Sequence, residues 1–297
     1  MMEQKKLLMI VNPRAGRNKP RGPLFDAASI FCREGYLLSI RGTDAPGEAA
    51  EIAAGEGGGY DAVVAVGGDG TLNEVVSGLM RLDKRPPLGY LAQGSTNDFA
   101  ASLHISSKPA VAAEAMMSAA PRHLDIGRWN ERYFVYVASF GAFTKSSYSA
   151  PQAAKNALGH FAYILEGMRD LNTLRPYQIR LTADGEVLDG EYLFGAVCNS
   201  TSIGGLMKLN PERVVLDDGL FELLLIPSPR TAQDLQNLVL ALLNQQYDSE
   251  GLVFRHVSHI NLETEKDLPW SLDGEYAASA PAVDIFNCRR AMTMLLG

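Results

Sequence analysis

The alternation of short apolar runs with helical patterns in the first 120 residues is the feature that most constrains the fold. Four apolar runs of four or five residues end close to turn-forming residues and are typical of strands buried on both faces: 7–11, 36–40, 62–66 and 88–91. Helical patterns fall between and after them, at 24–33, 47–54, 72–80 and 110–117. Strand alternating with helix predicts a doubly wound α/β domain with a parallel sheet.

The texture of the sequence changes after Pro121. Two hairpins are predicted around turns at 129–131 and 184–185, and further strands at 221–226, 252–262 and 282–286, with helices near 153–171 and 231–244. These signals predict a β-rich antiparallel sandwich as the second domain. We expect domain boundaries at 1–121 and 122–287, with a C-terminal strand at about 288–297 that could return to the first domain.

Charge and cysteine content exclude several classes of protein. The 297 residues carry 27 Lys and Arg against 34 Asp and Glu, a formal charge of −7, which argues against a broad nucleic-acid-binding surface. The three cysteines are far apart and fit neither a disulfide framework nor a zinc motif, which favours a cytoplasmic protein. No apolar run reaches the ~18 residues of a membrane span, so any membrane contact is expected to be peripheral.

The strongest local signal is the segment 63–76, in which a buried strand ends at Gly67-Gly68-Asp69-Gly70 and a helix follows directly. Glycines let the backbone approach a ligand closely, and a helix N-terminus carries a positive partial charge suited to phosphate. The loop is neither a Walker loop nor a dinucleotide-binding G-x-G-x-x-G. Pattern alone leaves two interpretations open, a phosphate-binding loop and a tight strand-to-helix turn.

Two further loops follow strands of the same predicted sheet. Asn12-Pro13-Arg14-Ala15-Gly16 comes after the first strand, and 93–100, beginning Gln93-Gly94-Ser95, after the fourth. Ligands of such sheets bind beyond the carboxyl ends of the strands. Each loop alone is ordinary turn material, but three loops at one sheet edge favour a binding site.

Together with two motifs in the β-rich half, these segments resemble the diacylglycerol kinase catalytic-domain family of lipid kinases, which includes bacterial soluble diacylglycerol kinases and, more distantly, sphingosine and ceramide kinases. The matching motifs occur in family order over almost the whole chain: Asn12-Pro13-x-x-Gly16, Gly67 to Glu74, Gly94 to Ala100, Leu216-Asp217-Asp218-Gly219 and Leu272-Asp273-Gly274-Glu275.

The resemblance implies an ATP-dependent phosphoryl transfer to a lipid hydroxyl, with an N-terminal domain like those of NAD kinase and phosphofructokinase. Carried over by motif, the residues expected at ATP are Asn12, Pro13, Arg14, Ala15, Gly16, Thr43, Gly67, Gly68, Asp69, Gly70, Thr71, Leu72, Asn73, Thr96, Asn97 and Asp98. Asp69 is similar to the family's essential acidic residue, and Glu275 to its catalytic base.

The resemblance also implies two magnesium ions. One arrives with ATP, and one structural Mg²⁺ is expected at the Asp218 carboxylate with the backbone carbonyls of Val215 and Leu220. An oxygen-only ligand set suits this hard cation.

The tetrapeptide Leu-Asp-Gly-Glu occurs twice, at 188–191 and at 272–275. Family order favours Glu275 over Glu191 as the base, because the first copy directly precedes a predicted strand. In the third loop the family's usual proline is replaced by Ala92, and Ser95 keeps a hydroxyl, which bears on loop geometry.

Three functions stay open at this point. The first is a lipid kinase that visits the membrane surface, with diacylglycerol as the expected acceptor and phosphatidic acid as product. The second is a kinase of another acceptor, such as a sphingoid base, ceramide, monoacylglycerol or NAD. The third is a catalytically silent nucleotide-binding regulator. A homodimer is a further expectation, paired through a sheet edge.

Overall fold

The structure is a computed structural model that describes residues 4–16, 22–95, 97–141, 176–203, 207–208, 214–244, 246–247, 249, 251–264 and 267–296. The chain forms two compact units, one of residues 1–125 with 290–297 and one of residues 126–289. The helix predicted at 153–171 lies outside the described residues.

The first unit alternates strand and helix, as the apolar pattern predicts. Its elements are β1 (Lys6–Val11), α1 (Gly22–Arg33), β2 (Leu37–Gly42), α2 (Glu48–Glu56), a 3-10 turn (Gly57–Gly59), β3 (Ala62–Gly67), α3 (Asp69–Leu79), β4 (Leu88–Ala92), α4 (Asp98–Ser102) and α5 (Pro109–Ser118). The strands pair in parallel in the order β4-β3-β1-β2. This is the predicted doubly wound α/β domain.

Two helical layers cover this sheet. Helices α1 and α5 pack against each other, and α2 packs against α3. The core below α1 and α5 joins alternate residues of β1 and β3 to the helices, including Leu7, Met9, Val64, Val66, Phe31 and Met116. Because successive strand residues point to opposite faces, the strand residues between these are available to the other layer.

The second unit is antiparallel β structure. It contains β6 (Arg132–Phe134), β7 (Val137–Gly141), β8 (Tyr177–Ala183), β9 (Glu186–Cys198), β10 (Ser202–Ile203), β11 (Met207–Lys208), β12 (Phe221–Pro227), α6 (Ala232–Leu243), β13 (Val253–Val257), β14 (His259–Glu263), β15 (Trp270–Leu272) and β16 (Glu275–Ala277). The long strand β9 pairs with β8, β7 and β12, each antiparallel. The predicted fold class is confirmed.

Two strands belong to both units. They are β5 (Arg122–Trp129) and β17 (Ala282–Met294), each crossing the division along its own length. Within the first unit Met294 pairs in parallel with Leu88 of β4. Within the second, 282–286 of β17 pairs with β14.

The single strand predicted at 252–262 is wrong, because the segment forms β13 and β14 with a break at Ser258. The Asp184 carboxylate accepts hydrogen bonds from the backbone N–H of Ser258 (2.7 Å) and of His259 (2.9 Å). Those amides are therefore taken by a side chain, and β13 pairs with β12 while β14 pairs with β8. Strand propensity alone does not show this interruption.

Candidate active site

The loops that follow the parallel strands stand side by side in the first unit. Backbone hydrogen bonds link each to its neighbour: Thr43 N to Val11 O (2.9 Å), Asn12 N to Val66 O (2.9 Å) and Gln93 N to Gly67 O (2.6 Å). The loops singled out by the sequence, together with the Thr43 segment, therefore meet at one sheet edge. This is where a doubly wound fold binds its ligand.

Close backbone approach explains the glycines of this edge. A Cβ on Gly94 would lie 2.6 Å from the Gly68 Cα atom, and one on Gly67 would lie 2.4 Å from Thr71 Oγ1. Real Cβ atoms essentially never approach other atoms below 3.0 Å. Gly94 is thus required by packing between the loops after β3 and β4, and Gly67 by the Thr71 side chain of the helix that follows β3.

Asn12 connects the first loop to α3. Its amide Nδ2 donates to Thr71 Oγ1 (3.2 Å), and its Oδ1 accepts from the backbone N–H of Arg14 (2.9 Å). Gly16 closes this turn with a φ of 61°. Pro13 and Arg14 are exposed, so the guanidinium group is accessible to an anionic ligand.

Helix α3 begins at Asp69, and the residue before it, Gly68, has no side chain with which to cap the first turn. Helix N-termini concentrate unpaired N–H groups and positive partial charge. The Gly67–Thr71 segment can therefore bind phosphate oxygens through its backbone.

Two carboxylates, Asp69 and Asp98, meet at the same place. The backbone N–H of Asp98, the first residue of α4, donates to Asp69 Oδ2 (3.1 Å). Burial raises the pKa of Asp69 above its usual range, against the lowering effect of N–H donors from α4. Burial, and then the negative charge of Asp69, raise the pKa of Asp98 to about 6.

Tyr90 of β4 completes this cluster. Burial, followed by the charges of the two carboxylates, raises the pKa of its hydroxyl well above the usual range. Tyr90 Oη lies close enough to Asp69 to interact electrostatically, yet among the described residues Tyr90 Oη, Asp69 Oδ1 and Asn97 Oδ1 are buried without a hydrogen bond of normal geometry. Buried polar atoms without a well-formed hydrogen bond are costly, so a ligand or water that reached these three atoms would be stabilised by them.

Glu74 has a position that sequence reasoning did not assign. Its carboxylate accepts from the backbone N–H of Gly47 (2.8 Å) and of Ala49 (3.2 Å), so it caps helix α2 from helix α3. Gly47 precedes α2 with a φ of 84° and provides no cap of its own. Glu74 thereby holds the loop that begins at Thr43, itself a predicted ATP residue.

The other predicted ATP residues have different surroundings. Leu72 is buried, and its N–H donates to Gly68 O (3.1 Å), so its side chain belongs to the core. Asn97 adopts a left-handed conformation with a φ of 55°, and its Nδ2 donates to Gly94 O (3.0 Å). Thr96 lies outside the described residues.

The segment expected to bind the structural cation lies in the second unit. Asp218 Oδ1 accepts from the Leu220 N–H (2.9 Å), and Gly219 closes the turn with a φ of 91°. No group of three or more His, Cys, Asp or Glu that could hold a metal occurs in the described part of the chain. One carboxylate with the carbonyls of Val215 and Leu220 still suits Mg²⁺, which keeps several waters in its coordination sphere.

Glu275 is the first residue of β16 and is exposed. It follows a two-residue turn in which Asp273 has a φ of 49° and Gly274 a φ of 83°, the left-handed pair of a tight hairpin. The other Leu-Asp-Gly-Glu copy lies within β9, where Glu191 pairs with Gln178 of β8. Identical tetrapeptides thus form a hairpin turn in one place and continuous strand in the other.

Comparison with known proteins matches both halves of the chain. Residues 6–129 match the diacylglycerol kinase catalytic domain, and residues 137–294 match a C-terminal NAD kinase beta sandwich-like domain. None of the described helices is long and apolar enough to cross a membrane.

Named relatives match over nearly their whole length. The chain is 34% identical over 282 residues to a diacylglycerol kinase of Bacillus subtilis, covering 93% of this chain and 92% of the relative. A Staphylococcus aureus diacylglycerol kinase is also 34% identical, at 94% and 89% coverage. A crystal structure of a diacylglycerol kinase from Bacillus anthracis has the same fold, with a TM-score of 0.78, 24% identity and coverage of 100% and 98%. The two domain matches and the relatives together place the chain in the diacylglycerol kinase family of lipid kinases.

Proposed function

We propose that this lipid kinase transfers the γ-phosphoryl group of ATP to the hydroxyl of diacylglycerol and produces phosphatidic acid. One observation carries the proposal: the Asp69 carboxylate lies beside a backbone-lined glycine loop at the N-terminus of α3, within the segment matched by the diacylglycerol kinase catalytic domain. Relatives named diacylglycerol kinase support the choice of acceptor.

In this proposal residues 1–121 bind the nucleotide. Backbone N–H groups of the Gly67–Thr71 segment contact phosphate oxygens, Arg14 adds a guanidinium group, and Asn12 with Thr71 fixes the first loop against α3. Thr43, Thr96, Asn97 and Asp98 complete the nucleotide side. Phosphoryl transfer requires little covalent chemistry from the protein, so positioning and electrostatics dominate.

The proposed reaction has one chemical step. The acceptor hydroxyl oxygen attacks the γ-phosphorus of ATP, a new P–O bond forms, and the bond from the γ-phosphorus to the bridging oxygen breaks to release ADP. Glu275 accepts the proton of the attacking hydroxyl. A carboxylate suffices as acceptor because the hydroxyl becomes acidic only as its oxygen bonds to phosphorus.

Magnesium is proposed at two places. The Mg²⁺ that accompanies ATP would neutralise phosphate charge, and the Asp69 and Asp98 carboxylates are the residues that would hold it. Asp218, with the carbonyls of Val215 and Leu220, would hold a structural ion in the second domain, residues 122–287. Chelation with EDTA should abolish transfer, and readdition of Mg²⁺ should restore it.

The lipid acceptor also implies where the protein works. We propose a cytoplasmic protein that contacts the membrane surface peripherally, with homodimer formation as a separate prediction. Co-sedimentation with vesicles containing diacylglycerol and sedimentation velocity without lipid test the two independently. Sedimentation of the protein only when vesicles are present supports peripheral membrane contact. A doubled molecular mass in sedimentation velocity supports the homodimer.

Acceptor choice is tested by competition. Labelled ATP and Mg²⁺ are incubated with wild-type protein and mixed micelles that present diacylglycerol and a sphingoid base at equal mole fraction, with NAD in the aqueous phase. We expect label in phosphatidic acid. Label in phosphorylated NAD or sphingoid base would refute diacylglycerol as the acceptor, and ATP binding without label in any acceptor would favour a regulatory protein.

A further inference from the structure

Asp273 is a buried carboxylate of the second domain that the proposed reaction does not use. It is 4% exposed, and its carboxylate accepts three backbone N–H groups: Val135 to Oδ2 (2.6 Å), Tyr136 to Oδ1 (2.9 Å) and Val137 to Oδ1 (3.0 Å). Its own N–H donates to Val137 O (2.8 Å). Four hydrogen bonds thus join one residue to a three-residue segment.

That segment is itself held from another direction. Asn199, at the end of β9, donates its side-chain Nδ2 to Val135 O (3.1 Å) and its backbone N–H to Tyr136 O (2.9 Å). The N–H groups of the segment therefore bind Asp273 while two of its carbonyls bind Asn199. Buried polar groups that are bonded to one another in this way hold a segment rigidly.

Glu275 stands two residues beyond this anchor. The turn between β15 and β16 contains only Asp273 and Gly274, both with positive φ, and Leu272 pairs directly with Glu275 across it. Fixing the Asp273 carboxylate therefore fixes the backbone from which the Glu275 side chain projects. A shift of about 1 Å in a catalytic group can cost ~100-fold in rate.

We propose that Asp273 is a positioning residue that holds Glu275 in the orientation needed to accept the hydroxyl proton. The proposal rests on the proposed function, in which Glu275 is the base. Asp273 touches neither ATP nor acceptor in it. Its contribution is the three-amide anchor of the turn.

The duplicated tetrapeptide provides a matched control. Asp189 has the same neighbours in sequence as Asp273, but it lies in strand β9, where its Oδ1 accepts from the exposed Gln178 Nε2 (2.9 Å). Asp273→Asn replaces a carboxylate oxygen by an NH₂ group that faces buried backbone N–H donors. Asp189→Asn makes the same replacement beside the solvent-exposed Gln178 side chain. Both changes remove one negative charge.

The experiment measures kcat and the KM for ATP in the micelle assay for wild type, Asp273→Asn, Asp189→Asn, Glu275→Gln and the double variant Asp273→Asn/Glu275→Gln. We expect Asp273→Asn to lower kcat ~10- to 100-fold with the KM for ATP within about twofold of wild type. Asp189→Asn should match wild type. The double variant should be no slower than Glu275→Gln, because Asp273 acts through Glu275.

Several results would overturn the proposal. They are a wild-type kcat for Asp273→Asn, or an equal fold-loss from Asp273→Asn in the presence and absence of Glu275. A wild-type rate for Glu275→Gln would instead show that Glu275 is not the base. The proposal that Asp273 positions it would fail with that result. If Asp273→Asn does not fold, Gly274→Ala replaces it, since a Cβ there meets nothing nearer than Tyr136 Oη at 3.7 Å but strains the turn at φ +83°. The same loss of kcat at unchanged KM is then expected, and a wild-type kcat refutes the proposal.

Discussion

Replacing Gly94 by alanine tests the packing of the glycine loops directly. The added Cβ would lie 2.6 Å from the Gly68 Cα atom and 2.7 Å from Asn97 Oδ1, whereas ordinary contacts begin at 3.4 Å. The first contact involves backbone and cannot be relieved by rotating a side chain. The loops after β3 and β4 must therefore separate by roughly 0.8 Å, the difference between 3.4 and 2.6 Å.

The expected cost follows from that displacement. Overpacking of a fitted site typically costs ~1–3 kcal/mol, and a chain of this size loses about 2–4 °C of Tm per kcal/mol. Because the displaced loops carry Asp69 and Asn97, we expect kcat/KM for ATP to fall ~10- to 100-fold, as for other displacements of nearly 1 Å.

The assay combines thermal unfolding with phosphate transfer to diacylglycerol micelles. Gly55→Ala is the matched control, because it lies in α2 with nothing within 4 Å of the added Cβ and no positive φ. It should leave kcat/KM unchanged and raise stability by up to ~1 kcal/mol. Equal kcat/KM values for Gly94→Ala and Gly55→Ala would refute the reasoning that the two loops form one packed site.

Three further predictions concern other residues. Because the pKa of Asp98 is raised to about 6, its ionisation lowers the stability of the folded state as the pH rises from about 4 through 6. Asp98→Asn should therefore unfold at a higher temperature than the wild type, and the difference should be larger at pH 7 than at pH 4. A difference that does not depend on pH would contradict this. Glu74→Ala removes the cap of α2 and should lower the free energy of unfolding by ~1–2 kcal/mol in denaturant titration. Glu51→Ala removes an exposed ion pair with Arg81 and should lower it by less than ~1 kcal/mol. Equal losses for the two variants would argue against the cap. Thr231→Ala breaks the capping box of α6 and should cost ~1 kcal/mol without altering kcat, so a loss of activity at full folding would show an unexpected link to the reaction.

The local sequence pattern predicts most of the secondary structure of the first domain. Each apolar run became a parallel strand, and β1, β3 and β4 are buried as predicted. The expected burial on both faces is wrong for β2, which is largely exposed because it is the last strand of the sheet and has a neighbour on one side only. The glycines around Asp69 predict close backbone approach, and the structure brings them against Gly94. These features depend on a few adjacent residues, which is why the sequence reveals them.

Long-range partners were not predictable in the same way. The capping of α2 by Glu74 joins residues 27 apart, and the anchoring of Asp273 by Val135 joins residues 138 apart. The raised pKa of Asp98 depends on burial and on Asp69 across two loops. The two Leu-Asp-Gly-Glu copies make the same point, because strand pairing rather than the tetrapeptide decides whether Asp-Gly turns.

Transfer of label from ATP to diacylglycerol by Glu275→Gln tests the central claim most directly, with Glu191→Gln as the control from the duplicated motif. ATP binding is measured in parallel on both variants. The account predicts that Glu191→Gln forms phosphatidic acid at the wild-type rate, while Glu275→Gln binds ATP normally and loses ~100-fold or more of kcat, the scale of a general base. Undiminished transfer by Glu275→Gln, or loss of transfer in Glu191→Gln alone, would contradict it.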